Sequence, residues 1–391
     1  MDIAEITSLR KTGADALRRG DARAARDSFQ RLADAGQADV NIWVALAGAC
    51  GRLGDLAMAH AAADKALALD ARNLRGLIVK ADLLAHQNDI RGALAFYMVA
   101  VQSSPPLNEL TADLRVEIQR ADAMCRKHGR ALESVLMDRL TKAGFGKRPS
   151  TARFAHSLDL VFGRRQIYFQ APRYYFFPGL PQIQFYDREA FPWLDKVEAA
   201  TSDIREELLR VMDDPQAFTP YVESDPNQPP NPQDRMRDNP EWSAFYLWKN
   251  GEALTANVDR CPKTMQALSE VPFPRISNRS PSILFSMMRP GAHIPAHNGF
   301  VNTRLICHLP VIVPGGCYFR VGNEEREWSE GKAWVFDDTM EHEAWNRSDR
   351  PRVVLLFETW RPELSEEERE LVRTMLEAMD EHGGVRTAWT A

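Results

Sequence analysis

The apolar positions of this chain change period along its length. Over roughly the first 145 residues they recur at helical spacing, whereas from Pro281 onward they fall in short runs broken by turn residues. PSILFSMMR, TRLICHLPVIV, CYFRVG, KAWVF and RVVLLFETW are rich in aliphatic and aromatic residues. Pro-Gly, Pro-Gly-Gly, Gly-Asn and Asn-Arg-Ser-Asp separate them at intervals near ten residues. That spacing predicts an antiparallel jelly-roll. The chain then opens a last helix at Ser365-Glu366-Glu367-Glu368, where Ser and the Glu three residues on form a capping box.

The helical part repeats itself. Gly20-Asp21, Gly54-Asp55 and Asn88-Asp89 are 34 residues apart, and the same step relates Gly13, Ala47 and Ala81, then Ala25, Ala59 and Ala93, then Phe29, Ala63 and Tyr97. Small residues at helix crossings and a turn at Gly/Asn-Asp resemble the tetratricopeptide repeat, which implies two antiparallel helices per unit. The third repeat ends at Ser103-Ser104-Pro105-Pro106, and residues 107–145 are expected to supply capping helices. Such a solenoid has a concave groove, which either binds a peptide or partner protein or simply accompanies a scaffold.

Between these parts, residues 146–170 read as a connecting helix and linker, and a second domain is expected over 171–391. Within it DREAFPWLDKVEAATSDIREELLRVMDD predicts one helix of about 20 residues. Ser224 to Asp234, with four prolines, predicts a surface loop able to cover a site. The fold class is therefore α+β and multidomain: an all-α repeat solenoid over 1–145, then a double-stranded β-helix, or jelly-roll, domain with a C-terminal helix.

Composition narrows the function classes. A net charge of -5 gives no reason to expect nucleic acid, which needs a concentrated basic face. The amino terminus carries no signal-peptide core and the chain no run of 18 apolar residues, so a cytoplasmic protein without membrane contact is expected. Cys50, Cys125, Cys261, Cys307 and Cys317 form no CxxC pair, which argues against a disulfide framework or zinc ribbon.

Two histidines carry the candidate chemistry: His297 in RPGAHIPAHNGF and His342 in FDDTMEHEAW. Non-haem Fe(II) oxygenases hold the metal with two His and one carboxylate. Here the place of the carboxylate, two residues after His297, is Gly299. Asp337, Asp338, Glu341 and Glu343 lie near enough in sequence to stand as alternative third ligands.

The stretches EWSAFYLWKNG, FSMMRPGAHIPAHNG, NTRLICHL, GGCYFRV, WSEGKAWVFDDTMEHEAW and ETWRPELS, in this order between about Pro181 and Glu363, resemble the aspartyl/asparaginyl β-hydroxylases. That family comprises Fe(II)- and 2-oxoglutarate-dependent oxygenases. The resemblance implies His297 and His342 as metal ligands, with Gly299 agreeing with a family habit of lacking the carboxylate. It implies Arg352 and His308 as partners of the 2-oxoglutarate carboxylates, with Ser286, Trp242 and the strand positions Ile306 and Cys307 around them. Dioxygen is the second co-substrate, and the implied reaction hydroxylates an unactivated carbon in a peptide or protein side chain, with succinate and CO2 as co-products.

The substrate end departs from the family. Where members that hydroxylate aspartyl residues carry basic side chains, this chain has Leu284 and Ile306. Arg304 can replace that charge only by pointing into the pocket, and strand alternation puts Arg304, Ile306 and His308 on one face. A small-molecule or lipid oxygenase, a halogenase, and a non-catalytic repeat adaptor are the competing readings.

Overall fold

The computed structural model describes residues 1–147, 152–224 and 237–383, and divides into two compact units, Met1–Phe162 and Gly163–Ala391. The proline-rich run, beyond Ser224, lies outside the described residues.

The first unit is three helical hairpins: α1 (Ile3–Arg19) with α2 (Ala22–Asp34), α3 (Val40–Arg52) with α4 (Leu56–Leu69), and α5 (Leu74–His86) with α6 (Ile90–Ser103). Each of the six begins at an Asp or Asn whose side chain accepts from a backbone N–H of the first turn: Asp2, Asp21, Asp39, Asp55, Asn73 and Asp89. Such caps are each worth about 1 kcal/mol. Gly20, Gly54 and Asn88 take the left-handed backbone that turns one helix into the next. All nine small or aromatic repeat positions predicted at the crossings are buried. At Gly13 a Cβ would come within 2.6 Å of the Phe29 ring, so the smallest residue faces the large one in the first hairpin. The expected capping helices are a single helix, α7 (Ala112–Lys142), of 31 residues, because its one glycine, Gly129, keeps helical backbone and no proline interrupts it. It is followed by α8 (Ala152–Val161).

The second unit opens with α9 (Leu194–Ala199) and α10 (Thr201–Met212), two helices where one was expected. The break follows from local bonding: the Ala200 N–H reaches back only three residues to Val197, and the Thr201 hydroxyl donates to the Glu198 carbonyl. The short helices α11 (Thr255–Val258) and α12 (Pro262–Ala267) follow, and α13 (Glu366–Gly383) closes the described chain with the predicted capping box, Ser365 and Glu368 bonding reciprocally.

Among the described residues eleven strands form two antiparallel sheets. They are β1 (Thr219–Pro220), β2 (Trp242–Lys249), β3 (Glu252–Ala253), β4 (Ile283–Met288), β5 (His293–His297), β6 (Arg304–Ile312), β7 (Cys317–Val321), β8 (Glu324–Glu327), β9 (Trp334–Phe336), β10 (His342–Asn346) and β11 (Arg352–Trp360). The larger sheet runs β1-β2-β4-β11-β6-β9 with β3 beside β2, and the smaller runs β5-β10-β7-β8. Alternation along the central strands divides two cores. Leu305, Cys307, Leu309, Val353, Leu355 and Phe357 pack outward under α9, α10 and α12. On the other face Trp242, Leu284, Ile306, Val354 and Leu356 meet Ile294, Phe319, Val321 and Ala344 of the smaller sheet. The site lies within this second layer. No helix among the described residues is long and apolar enough to cross a membrane.

Candidate active site between the two sheets

His297 and His342 are direct cross-strand partners of β5 and β10, with ring centroids 4.1 Å apart. The Nδ1 of His297 lies 2.7 Å from the Pro295 carbonyl and that of His342 lies 3.0 Å from the Met340 carbonyl. A carbonyl only accepts, so both Nδ1 atoms carry the proton and both Nε2 atoms are left with a lone pair. This is how metal-binding imidazoles are oriented. Burial lowers the pKa of His297 to about 3, with the neighbouring His342 as the next cause, and that of His342 to about 4. Both rings are neutral at ordinary pH, as a metal ligand must be.

Across the cavity sits a buried cation. Arg352, Met288 and Trp242 form one row across β11, β4 and β2. The Arg352 guanidinium packs over the Trp328 ring at 4.4 Å, donates to the Met288 sulfur and reaches the Ser286 carbonyl at 3.4 Å. Its Nε has no hydrogen-bond partner, and among the described residues no carboxylate pairs with it. Burial pulls its pKa down to about 9. On the neighbouring strand His308 is also buried, its Nδ1 without a partner and its pKa depressed well below the usual range by burial and by Arg352. Trp242 Nε1 donates to the Ser286 hydroxyl at 3.0 Å and its ring stacks on Tyr221. Uncompensated buried donors of this kind are costly, and an anion is what they lack. The donor set therefore fits a small carboxylate ligand, beside two imidazoles oriented as metal ligands are.

Gly299 closes the third side. An added Cβ there would come within 2.1 Å of Asp338 Oδ2, so the Asp338 carboxylate occupies the space a side chain at 299 would need. Asp338 pairs with Arg304 at 2.9 Å, and Arg304 Nε pairs with Glu358 at 2.8 Å. All three are buried and line the cavity with Tyr221 and Tyr246. The other candidate carboxylates are engaged elsewhere: Asp337 with Arg361, Gln170 and Thr339, and Glu341 and Glu343 with Arg320. Among the described residues no three His, Cys, Asp or Glu side chains converge as a metal cage.

The profile of the aspartyl/asparaginyl β-hydroxylase family matches residues 198–362, which hold every strand from β1 to β11 and the cavity lining other than Arg173. The second unit is similar to this family over most of its length. An aspartyl/asparaginyl β-hydroxylase of Homo sapiens is 35% identical over 168 residues, 42% of this chain and 21% of that protein. An ornithine lipid ester-linked acyl 2-hydroxylase of Rhizobium tropici is 34% identical over 193 residues, 47% of this chain and 62% of that protein. The chain thus spans about a fifth of the first relative's length and less than two thirds of the second's. Over the helical unit, the tetratricopeptide domain of Arabidopsis OM64 aligns with 32% of this chain and 97% of its own, at 17% identity and a TM-score of 0.28.

Of the residues the β-hydroxylase resemblance singled out, His297, His342, His308, Arg352, Ser286, Trp242, Ile306 and Arg304 line one cavity. Two stand apart from it. The Cys307 side chain points into the outer core, because alternation sends it opposite to Ile306 and His308. Leu284 is fully buried between the sheets, filling the core rather than the cavity wall. His293 stands exposed at the start of β5, stacked on Trp345 and near Glu343. Glu358, Tyr221 and Tyr246 were not expected. A signal for Glu358 exists in RVVLLFETW, where it is a lone acid on the same alternating face as Arg352.

Proposed function

We propose that this chain is an Fe(II)- and 2-oxoglutarate-dependent dioxygenase that hydroxylates an unactivated carbon, with succinate and CO2 as co-products. The observation that carries the reading is the unpaired, buried Arg352 beside His308, facing two imidazoles whose Nε2 atoms are free. When bound, iron and 2-oxoglutarate supply the oxygen chemistry, which no side chain provides.

The protein's own residues position and shield. His297 and His342 hold the metal, each ring fixed by its carbonyl partner. Arg352 takes the distal carboxylate of 2-oxoglutarate through its planar fork, held against Trp328 so that little freedom is lost on binding. His308, with an unsatisfied Nδ1, contacts the carboxylate beside it, and the Trp242–Ser286 pair closes that end. Phe319, Phe336, Ile294 and Ile306 keep water from the cavity, which strengthens each of these contacts.

A peptide or protein side chain is the substrate class nearest to the human relative's name, and the groove of the first unit, lined in part by Asn41, Val44, Ile78 and Leu83, is a surface for such a chain. A lipid or other small acyl substrate is the second reading. The observation in its favour is that Arg304, the cation on the Ile306 face of the cavity, is already paired twice and so is not free for an aspartyl carboxylate. The Rhizobium relative is by name a lipid acyl hydroxylase.

The test is succinate formation. Purified protein with Fe(II), 2-oxoglutarate and oxygen should release succinate, slowly alone and faster with substrate, and His342→Ala should abolish it. No succinate with any peptide or lipid extract, from protein that binds iron, would refute the reading.

A further inference from the structure

The end of the cavity away from Arg352 has its own charge balance. The Arg304 guanidinium is clamped between Glu358 at Nε and Asp338 at Nη1, so that two acidic groups face one cation. None is more than 7% exposed. Glu358 is held in place by the Ser280 hydroxyl and the Ser282 N–H, directly opposite Ile306 in the β6–β11 register. Asp338 Oδ1 meets Arg304 at ion-pair distance yet accepts no aligned hydrogen bond, and Arg304 Nε and Nη1 likewise meet their two acids as ion pairs without aligned hydrogen bonds. A nine-tenths buried carboxylate oxygen thus lines the cavity with capacity to spare.

The walls around this acid are aromatic. Tyr221 stacks on Trp242 with centroids 3.9 Å apart, and Tyr246 lies beside Tyr221. Carboxylates within aromatic walls are the surroundings in which buried ammonium and guanidinium groups are recognised. Ile306 brings no charge, and Arg173, an exposed residue of the lining, sets its charge toward His297 and His342.

We propose that this arm of the cavity, framed by Arg304, Asp338 and Glu358, holds a cationic group of the substrate, an ammonium or guanidinium, and turns a carboxylate away. This rests on the oxygenase reading for the word substrate, although the charge argument does not depend on it. It places the acceptors of hydroxylation among amine-bearing molecules, such as basic side chains or amino-headed acyl compounds. An acidic side chain in this arm would meet two carboxylates and an Arg304 already held by both.

The experiment compares n-butylammonium, n-butyrate and n-butyramide on the full chain loaded with Zn(II), a redox-inert stand-in, and 2-oxoglutarate, with dissociation constants from saturation-transfer NMR. The ammonium ion should bind at least tenfold more tightly than either of the others. Glu358→Gln, which keeps the shape and removes one charge, should bring ammonium and amide to within about threefold. Ile306→Arg should make butyrate the preferred ion, an independent check should Glu358→Gln fail to fold. Butyrate or butyramide binding as tightly as the ammonium ion overturns the proposal, as does an ammonium preference unchanged in both variants. Succinate release by the Fe(II)-loaded protein separates the two ideas. Ammonium selectivity without succinate removes the oxygenase reading and leaves this inference, and succinate with butyrate preferred does the reverse.

Discussion

The Asp338 carboxylate lies where a side chain on Gly299 would have to go, 2.1 Å from the nearest position of an added Cβ. The missing ligand and the nearby acid are therefore one arrangement. Asp338 is fixed there by Arg304, which Glu358 fixes in turn.

Restoring the carboxylate at 299 should accordingly fail. Gly299→Asp forces Asp338 aside and breaks its ion pair, so the variant should lose about 1–3 kcal/mol of stability, the usual cost of overpacking, and bind Fe(II) no more tightly than the parent. Thermal unfolding and metal titration check this. Tighter iron binding at unchanged melting temperature would show that the space is free.

Arg352 makes two predictions of opposite sign. A buried guanidinium without a carboxylate is a liability to the ligand-free fold, so Arg352→Met should leave the melting temperature of the ligand-free protein unchanged or raised. The same change should weaken 2-oxoglutarate by at least tenfold, since a hydrogen bond between charged groups is worth about 1.5–3 kcal/mol. Differential scanning fluorimetry with and without 2-oxoglutarate measures both. A large fall in the ligand-free melting temperature would make Arg352 a structural residue.

The metal-free protein should lose stability as pH falls. His297 and His342 titrate at about 3 and 4 when folded and near 6.5 when unfolded, so the unfolded chain binds more protons between these values. Their contribution is complete above about 6.5 and is lost progressively as pH drops toward 4. In chelator, replacing both by Gln should flatten the pH dependence of the denaturation midpoint across that window. An unchanged slope would show that neither ring is buried neutral.

Much of this architecture is written in local pattern. The 34-residue step gives the helical hairpins because each turn needs a left-handed residue and each helix an Asp or Asn cap, both visible at Gly20-Asp21 and Asn88-Asp89. The runs around β4, β6, β7, β9 and β11 announce themselves by β-branched and aromatic content. β5 and β10 do not, since HIPAH and HEAWN hold the functional polar residues in place of apolar ones, and β8, EERE, is a charged edge. The histidines, Arg352 and His308 are legible through resemblance and alternation. The clamp on Arg304 is not, because Asp338 and Glu358 come from segments distant from it in sequence, and only the registers of β6 with β9 and with β11 bring the three together.

The central claim is that two histidines and one unpaired arginine build a joint site for metal and 2-oxoglutarate. The most direct test is anaerobic calorimetric titration of 2-oxoglutarate into the Fe(II)-loaded chain. The account predicts binding that requires the metal, is lost in His297→Ala, and is weakened at least tenfold in Arg352→Met. Binding of equal strength without metal, or unchanged by Arg352→Met, would contradict it.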